Sequence, residues 1–515
     1  MTALDSVESS RQDLQSRLDA AKTQQERNKL GQYSTPIKLA TEIAKYAKSL
    51  LPATSDVNFL DPAFGTGAFY SALLKTFPPN RIKRVEGYEI DSHYADDAVR
   101  LWADTRLKLH IKDFTKARKP KLDEDKFNLL ICNPPYVRHH HLTFNDKQRL
   151  RKLAKKAAQV NLSGLSGLYS YFLCIADAWL AEGGLSGWLI PSEFMDVNYG
   201  REVKEYLLKR VTLLRVHRFN PSDAQFNDAL VSSAVVWFKK ALPPPNNAVE
   251  FTFGGTLEEP AVSKLVHSDA LTHARKWTNL PLARPARETT AHGLKLSDLF
   301  SIKRGLATGA NDYFVLTREQ IDEHELPSEY LTPILPSPRH INSDEVLADD
   351  KGEPMLDTKL YLVNCDLPER EVRTRYPALW RYFKLGVERG ISERYLCKDR
   401  TPWYMQEIRP PAPLLCTYMG RRDAKSGRPF RFILNRSKAT TANSYLMMYP
   451  KPVLESGLSR DPKRMEDIWQ HLNQISYETM TGEGRVYGGG LHKIEPKELG
   501  NVPVDFLNLQ TLLFD

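Results

Sequence analysis

Between residues 57 and 136 four apolar runs recur at helix-length intervals, and this rhythm constrains the fold more than any other feature of the chain. The runs sit in VNFLDPAFGTGAFYSALLKTF (57–77), RVEGYEID (84–91), KLHIKDF (108–114) and FNLLICNPPY (127–136). Polar segments long enough to be helices separate them, and strands that run parallel need crossovers of that kind. The pattern predicts a parallel, doubly wound sheet with helices on both faces. In such a sheet the loops at the carboxyl ends of the strands line a ligand crevice, so what stands at those ends matters most.

The alternation continues to about residue 240. YSYFLCIADAWLAEGG (169–184) reads as a buried helix, LSGWLIPSEF (185–194) as a strand and REVKEYLLKRV (201–211) as a helix. LLRVHRF (213–219) and LVSSAVVWFKK (230–240) read as the closing strands. Upstream, residues 1–30 form a helical segment with Leu14, Leu18 and Ala21 on one stripe, docked on the first domain. A further helix covers 36–51, with Pro36 in its first turn and Thr35 as N-cap. LPPPNNAVE (242–250) is a linker or turn, because three successive prolines can enter neither a ladder nor a helix. Beyond it short β-like runs, prolines, aromatics and arginines replace the earlier rhythm. The expected domains are therefore 1–30, 31–245 and 250–515, the last a mixed α+β unit.

A chain of 515 residues exceeds one ordinary core, and 41% hydrophobic with 26% charged residues is the balance of a globular protein. No apolar run approaches the roughly 18 residues that cross a bilayer, and MTALDSVESSRQDLQ lacks a signal-peptide profile, so a cytoplasmic location is expected. Cys132, Cys174, Cys365, Cys397 and Cys416 are isolated and carry no ligand spacing, which predicts reduced structural thiols and no metal site. The net charge of +9 points toward a polyanionic partner, though many basic proteins bind no nucleic acid.

The strand ends carry the chemistry. In DPAFGTGAF (61–69) Gly65 and Gly67 let backbone approach a ligand, while Asp61 at the end of the first strand suits a cationic amine better than a pyrophosphate. Glu89-Ile90-Asp91 ends the second strand, where an acid grips ribose hydroxyls in such folds. Asp113-Phe114 ends the third, offering a carboxylate for an amino group and a ring for stacking. Any one of these acids could be a solvated strand end or a helix cap; three around one crevice are harder to dismiss. Asn133-Pro134-Pro135-Tyr136 ends the fourth. Its two prolines remove two N–H donors, so the turn presents carbonyls and an amide side chain, acceptors for the two hydrogens of an exocyclic amino group. Tyr136 can stack on a flat ring, or simply pack at a strand-ending turn.

The ordered set GQYSTP (31–36), DPAFGTGAF, YEID, IKDF and NPPY resembles the gamma-class N6-adenine DNA methyltransferases of bacterial type II restriction-modification systems. The resemblance covers the first 240 residues motif by motif and the rest more loosely. It implies a class I, Rossmann-like methyltransferase domain followed by a DNA target-recognition domain. It also implies S-adenosylmethionine as cofactor, held by Tyr33, Ser34, Thr35, Asp61, Pro62, Ala63, Gly65, Gly67, Glu89, Ile90, Asp113, Phe114 and Asn133. Asn133, Pro134, Pro135 and Tyr136 would be catalytic, and Tyr136 with Phe226 would stack on a flipped adenine. Flipping costs a few kcal/mol, and stacking worth about 1–3 kcal/mol per ring offsets part of it. Acceptors at N6 would then favour a more tetrahedral nitrogen for in-line attack on the sulfonium methyl.

Double-stranded DNA is the implied partner, and the resemblance admits a separately encoded cognate endonuclease, action as a monomer on DNA and association with the nucleoid. Contacts to DNA are expected from Arg138, Arg149, Arg151 and Lys152 beside the catalytic loop, and from Arg304, Arg421, Arg422, Arg431 and Arg436 in the second half. A solvated helix face is the ordinary reading of the run 149–156, and His139–His141 have no assigned role. Three rival readings stand beside this one. They are a methyltransferase of protein glutamine or RNA, a cytosine-N4 DNA methyltransferase, and a catalytically silent DNA-binding specificity protein on the same fold.

Overall fold

The computed structural model describes residues 3–220, 232–274, 276–278, 280, 294–422, 427–461, 463–487 and 490–504. The chain divides into two compact units, Met1–Ala286 with Tyr487–Gly489, and Arg287–Val486 with Gly490–Asp515.

The first unit is built on one nine-stranded sheet. Its strands are β1 (Val57–Asp61), β2 (Ile82–Glu89), β3 (Leu107–Ile111), β4 (Phe127–Cys132), β5 (Leu180–Pro191), β6 (Thr212–Arg218), β7 (Ser233–Lys239), β8 (Ala248–Gly255) and β9 (Pro260–His267). They lie in the order β3-β2-β1-β4-β5-β7-β6-β8-β9. β1 to β5 pair parallel, β7 runs antiparallel to both β5 and β6, and β8 returns parallel to β6 before β9 closes antiparallel. This is the mostly parallel, doubly wound sheet expected, and the strand order reverses between β1 and β4.

Among the described residues nine α-helices accompany it: α1 (Ala3–Ala20), α2 (Gln24–Leu30), α3 (Ile37–Leu50), α4 (Ala68–Thr76), α5 (Ser92–Leu101), α6 (Phe144–Ala158), α7 (Leu168–Ala176), α8 (Arg201–Lys209) and α9 (Ser268–His273). The period-2 alternation of each strand divides two cores between the faces. Phe59, Leu129 and Ile131 pack with Ile43 of α3, Leu73 of α4 and Ala98 of α5, whereas Leu60, Leu130 and Cys132 pack with Leu150 of α6, Phe172 of α7 and Leu207 of α8.

Three local expectations are corrected. The helix of 169–184 stops at Ala176, and Leu180 already pairs with Phe127 as part of β5. Its Gly183 has a positive φ and the strand continues to Pro191, so apolar length alone misassigned that stretch. Thr35 does not cap α3, whose N-cap is Pro36 with no side-chain bond; the Thr35 hydroxyl serves another group described below. The units part at 286/287 and not near 250, because the proline run is only the turn between β7 and β8 and the next two strands extend the same sheet.

The second unit holds a five-stranded sheet, in the order Phe300–Arg304, Tyr445–Pro450, Leu414–Thr417, Phe432–Asn435 and Glu345–Val346. A four-stranded sheet orders Val315–Thr317, Leu360–Val363, Leu331–Leu335 and Thr440–Thr441. Helices Pro377–Glu388 and Arg464–Leu472 pack on them through Leu379, Phe383, Ile468 and Leu472. This is the mixed α+β texture anticipated.

Candidate active site

Every strand-end motif read from the sequence falls on the carboxyl edge of β1 to β4, around the point where the strand order reverses. Asp61 closes β1 and is 1% exposed. Its Oδ1 accepts from the Ala63 N–H at 3.1 Å, while Oδ2 is buried with no donor among the described residues. Burial pushes this carboxyl up to about 8, Glu89 adding to the rise and the Ala63 bond opposing it. Such a group calls for a cation.

The loop after Asp61 is shaped by two glycines. Gly67 has φ +91°, and a Cβ there would fall 2.7 Å from the Phe64 ring and the Trp102 indole nitrogen. Gly65 has φ +55° with open space where its Cβ would be, so backbone can lie against a ligand. The Gly65 N–H donates to Glu89 Oε2 at 2.8 Å, and the Asp91 N–H donates to Oε1 at 2.9 Å. Burial raises the Glu89 pKa against those backbone donors. Beside it Ile90 is 67% exposed, an apolar side chain at the mouth of the crevice. Pro62 is buried and Ala63 half-buried.

At the end of β3, Asp113 caps a short 3-10 turn, its Oδ1 accepting from the Thr115 N–H at 2.8 Å and the Thr115 hydroxyl at 2.7 Å. Phe114 is not an open platform. It is 2% exposed within a cluster of Tyr88, Phe172 and Trp179, because the turn points its ring into the core.

The turn after β4 is held from upstream. Asn133 Nδ2 donates to the Tyr33 carbonyl at 2.9 Å and to the Thr35 hydroxyl at 3.1 Å, which leaves Oδ1 buried with no donor among the described residues. Both hydrogens of the amide are thus committed to GQYSTP, and its acceptor is the part left over. The Tyr136 hydroxyl donates to the Leu189 carbonyl at 3.0 Å and its N–H to the Gly31 carbonyl at 3.0 Å. Tyr33 and Tyr136 stand with ring centroids 5.5 Å apart. Pro134 is buried, Pro135 half-buried and Ser34 exposed. Phe226 lies outside the described residues.

The crevice thus holds two buried oxygens without donors, Asp61 Oδ2 and Asn133 Oδ1. They fit a cofactor that carries an amine and a substrate that carries another. Sequence reasoning missed the side chains behind them. Lys22 and Gln32 both reach Asp91, and Arg11 and Gln15 reach the Thr66 hydroxyl. The only trace in the sequence is a run of charged residues on α1 that reads as a solvated face.

The basic residues separate into two kinds. Arg138 and Lys152 are exposed, and Arg151 is exposed with Nε donating to the Leu162 carbonyl at 3.0 Å. Arg149 turns inward, donating to the Thr115 carbonyl and hydroxyl at 3.0 Å each. In the second unit Arg304 lies 4.1 Å over the Tyr418 ring and donates to the Asn443 carbonyl at 3.2 Å, Arg422 lies 4.9 Å over the Tyr477 ring and donates to the Gly427 carbonyl at 3.2 Å, and Arg421 is exposed at the end of a short strand. Arg431 donates to Asp344 at 2.6 Å and to the carbonyls of Pro338, Ile341 and Ser343. Arg436 pairs with Glu345 and Glu466. Those two guanidiniums are engaged by their own unit. His139–His141 form a 3-10 turn, in which burial together with neighbouring cations lowers the pKa of His139 and His140.

Comparison with known proteins matches the two halves of the chain separately. The family model described as Eco57I restriction-modification methylase matches residues 37–226, and the C-terminal domain of Type II methyltransferase M.Eco57I matches 274–512. Type II methyltransferase M.XamI of Xanthomonas campestris pv. amaranthicola is 27% identical over 465 residues, 88% of this chain and 81% of that one. Type II methyltransferase M.AccI of Acinetobacter calcoaceticus is 26% identical over 489 residues, covering 92% and 85%. The solved structure of the Type IIL restriction-modification enzyme MmeI in complex with DNA shares the fold, with a TM-score of 0.50 at 14% identity. That alignment covers 83% of this chain and 62% of the solved one.

Proposed function

Because the chain belongs to the type II restriction-modification methyltransferases, we propose that it methylates N6 of an adenine flipped out of double-stranded DNA. The fold is the class I methyltransferase fold, S-adenosylmethionine is the cofactor and DNA the substrate. The observation that carries the choice of an exocyclic amine is the buried, donor-free Oδ1 of Asn133 beside Tyr136.

In this reading Asp61 takes the ammonium of the cofactor, Glu89 its ribose hydroxyls, and Ile90 with Asp113 and the edge of the Phe114 cluster its adenine. The cofactor when bound supplies an electrophilic methyl group on a sulfonium. Asn133 Oδ1 and the Pro134 carbonyl each accept one N6–H of the target. Those bonds draw the nitrogen lone pair out of conjugation and stabilise the positive charge that grows on it. Tyr136, anchored through the Leu189 carbonyl, offers its ring face to the base, and Tyr33 closes the other side of the amide. Proximity and alignment do the rest, with no nucleophilic side chain required.

Exposed Arg138, Arg151 and Lys152 hold phosphates beside the catalytic turn, while Arg304, Arg421 and Arg422 face the target sequence. The protein is the modification half of a restriction-modification system, works as a monomer on nucleoid DNA, and leaves cleavage to a separate endonuclease. Single-molecule sequencing of DNA from a methylation-free host expressing the protein should show N6-methyladenine within one sequence motif. N4-methylcytosine there would assign the rival base, and unmodified DNA with folded protein present would overturn the reading.

A further inference from the structure

The N-terminal segment does more than lie against the sheet. On α1 the Arg11 guanidinium grips Glu8 through two bonds of 2.9 and 2.8 Å, and both residues are 3% exposed. The remaining Nη1 donates to the Thr66 hydroxyl at 3.0 Å, and that hydroxyl donates to Gln15 Oε1 at 2.6 Å. Thr66 sits between Gly65 and Gly67 in the cofactor loop, and its carbonyl accepts from the Trp102 indole at 3.0 Å. Every polar group of Thr66 named here is therefore committed away from the ligand. Further along, Lys22 and Gln32 hold Asp91 Oδ2, whose N–H is bound to Glu89. Next, the Gly31 carbonyl takes the Tyr136 N–H, and the Tyr33 carbonyl takes the Asn133 amide. One stretch of chain touches, in order, the glycine loop, the ribose acid's neighbour and the catalytic turn.

We propose that residues 3–35 form a strap that sets the cofactor crevice, with Arg11 and Gln15 as positioning residues that fix the Gly65–Gly67 backbone through Thr66. The proposal rests on the reading of that crevice as the S-adenosylmethionine site. The competing idea is that the Glu8–Arg11 pair only fastens α1 to the sheet. A buried ion pair is poor glue, since apolar residues of similar volume hold a helix as well or better. An ion pair that spends one of its donors on a hydroxyl 55 residues away in a ligand loop, by contrast, fixes a position. Both bonds of the hydroxyl are directional, so the loop is held in place and not merely covered.

The test separates placement from fastening. Thr66→Val keeps the shape of the side chain and removes both bonds. Because it strands a buried guanidinium, it is compared with the triple change Glu8→Leu, Arg11→Met and Thr66→Val, which removes the buried guanidinium and its carboxylate together and leaves the Ser71 hydroxyl, otherwise bonded to Glu8, to a carbonyl of its own helix. S-adenosylmethionine affinity is read by calorimetry on the full chain, with thermal unfolding of the same samples. We expect the triple variant to unfold at or above the wild-type temperature yet bind the cofactor about three- to tenfold more weakly, the loss of one or two such bonds. The KM for the cofactor should rise alongside, with kcat at saturation unchanged, and Thr66→Ser should restore wild-type affinity. A triple variant that stays folded and binds within twofold of wild type would overturn the strap, as would a Thr66→Ser no better than Thr66→Val. Wild type that binds the cofactor but leaves host DNA unmodified would remove the proposed function alone, because affinity is read independently of methylation.

Discussion

Asp61 is buried, short of a donor on Oδ2 and pushed up to about 8 from 3.8, so the cofactor-free protein carries it protonated at pH 7. Its pKa is raised on folding. The stability it contributes is therefore fully present below about 4 and drains away as pH climbs toward 8. Asp61→Asn should accordingly raise the unfolding temperature of the apo-protein above pH 7 while weakening S-adenosylmethionine binding at least tenfold; a variant less stable than wild type at pH 8 would contradict the assignment. Binding of the cofactor's ammonium should drive off close to one proton at pH 7, measurable by calorimetry in buffers of different ionisation enthalpy. No net release would mean that Asp61 does not meet the amine. At the other acceptor, Asn133→Ala should cost about a hundredfold or more in methylation, the scale of a lost transition-state hydrogen bond. Cofactor affinity should remain within a few-fold, checked by the same calorimetry. These residues were legible in the sequence because strand ends and prolines leave few alternatives for what a side chain can face. The Asn133 tether to Tyr33 and Thr35 was not, since it spans 100 and 98 residues.

At the level of elements, the sheet was readable because apolar runs of strand length alternate with helices, whereas the segment before α3 was not. Its helix α1 buries Glu8 and Arg11, which share the stripe of Leu14 and Leu18 but which their charge assigns to water. The C-cap of α2 shows how tightly that segment is joined to the Asn133–Tyr136 turn. Gly31 has φ +65°, and a Cβ there would stand 2.4 Å from the Tyr136 nitrogen. Gly31→Ala must push two backbones apart in a conformation that L side chains rarely adopt. We expect methylation to fall at least tenfold with the protein still folded by circular dichroism; wild-type turnover would show that the two segments move independently. Phe114 illustrates the opposite failure, an aromatic correctly placed at a strand end whose ring the following 3-10 turn directs into the core.

On the scale of the molecule, charge is what the sequence reveals least reliably, because +9 says nothing of which cations are already spent. Arg431 and Arg436 answer to their own unit's acceptors, so replacing either by Ala should lower the unfolding temperature. Arg304 and Arg422 lie on tyrosine faces with one carbonyl bond each and no carboxylate among the described residues, and replacing them should weaken DNA binding with a smaller loss of stability. Each phosphate contact removed should reduce the slope of log affinity against log salt by about one, while a base contact should instead relax sequence preference. The reverse pattern would reassign the two groups. The unit boundary was misjudged for a related reason. Proline signals a break in a strand, and only pairing shows that the chain returns to the same sheet. A fragment ending at 286 should stay soluble and bind the cofactor, whereas one ending at 245 bares the β6 edge and should aggregate.

The pairing of Asp61 Oδ2 with Asn133 Oδ1 has a further consequence for chemical probes. Two buried oxygens stand at neighbouring strand ends, neither with a hydrogen-bond partner among the described residues, and Asp61 becomes an acceptor once a bound amine has displaced its proton. A single molecule bearing one cationic amine and one aromatic amine on a short tether could satisfy both, whereas a compound that only stacks would leave both carbonyl-type oxygens dry and unanswered. Selectivity among adenosine-like inhibitors of this enzyme should therefore follow the number and spacing of their N–H groups before the area of their rings.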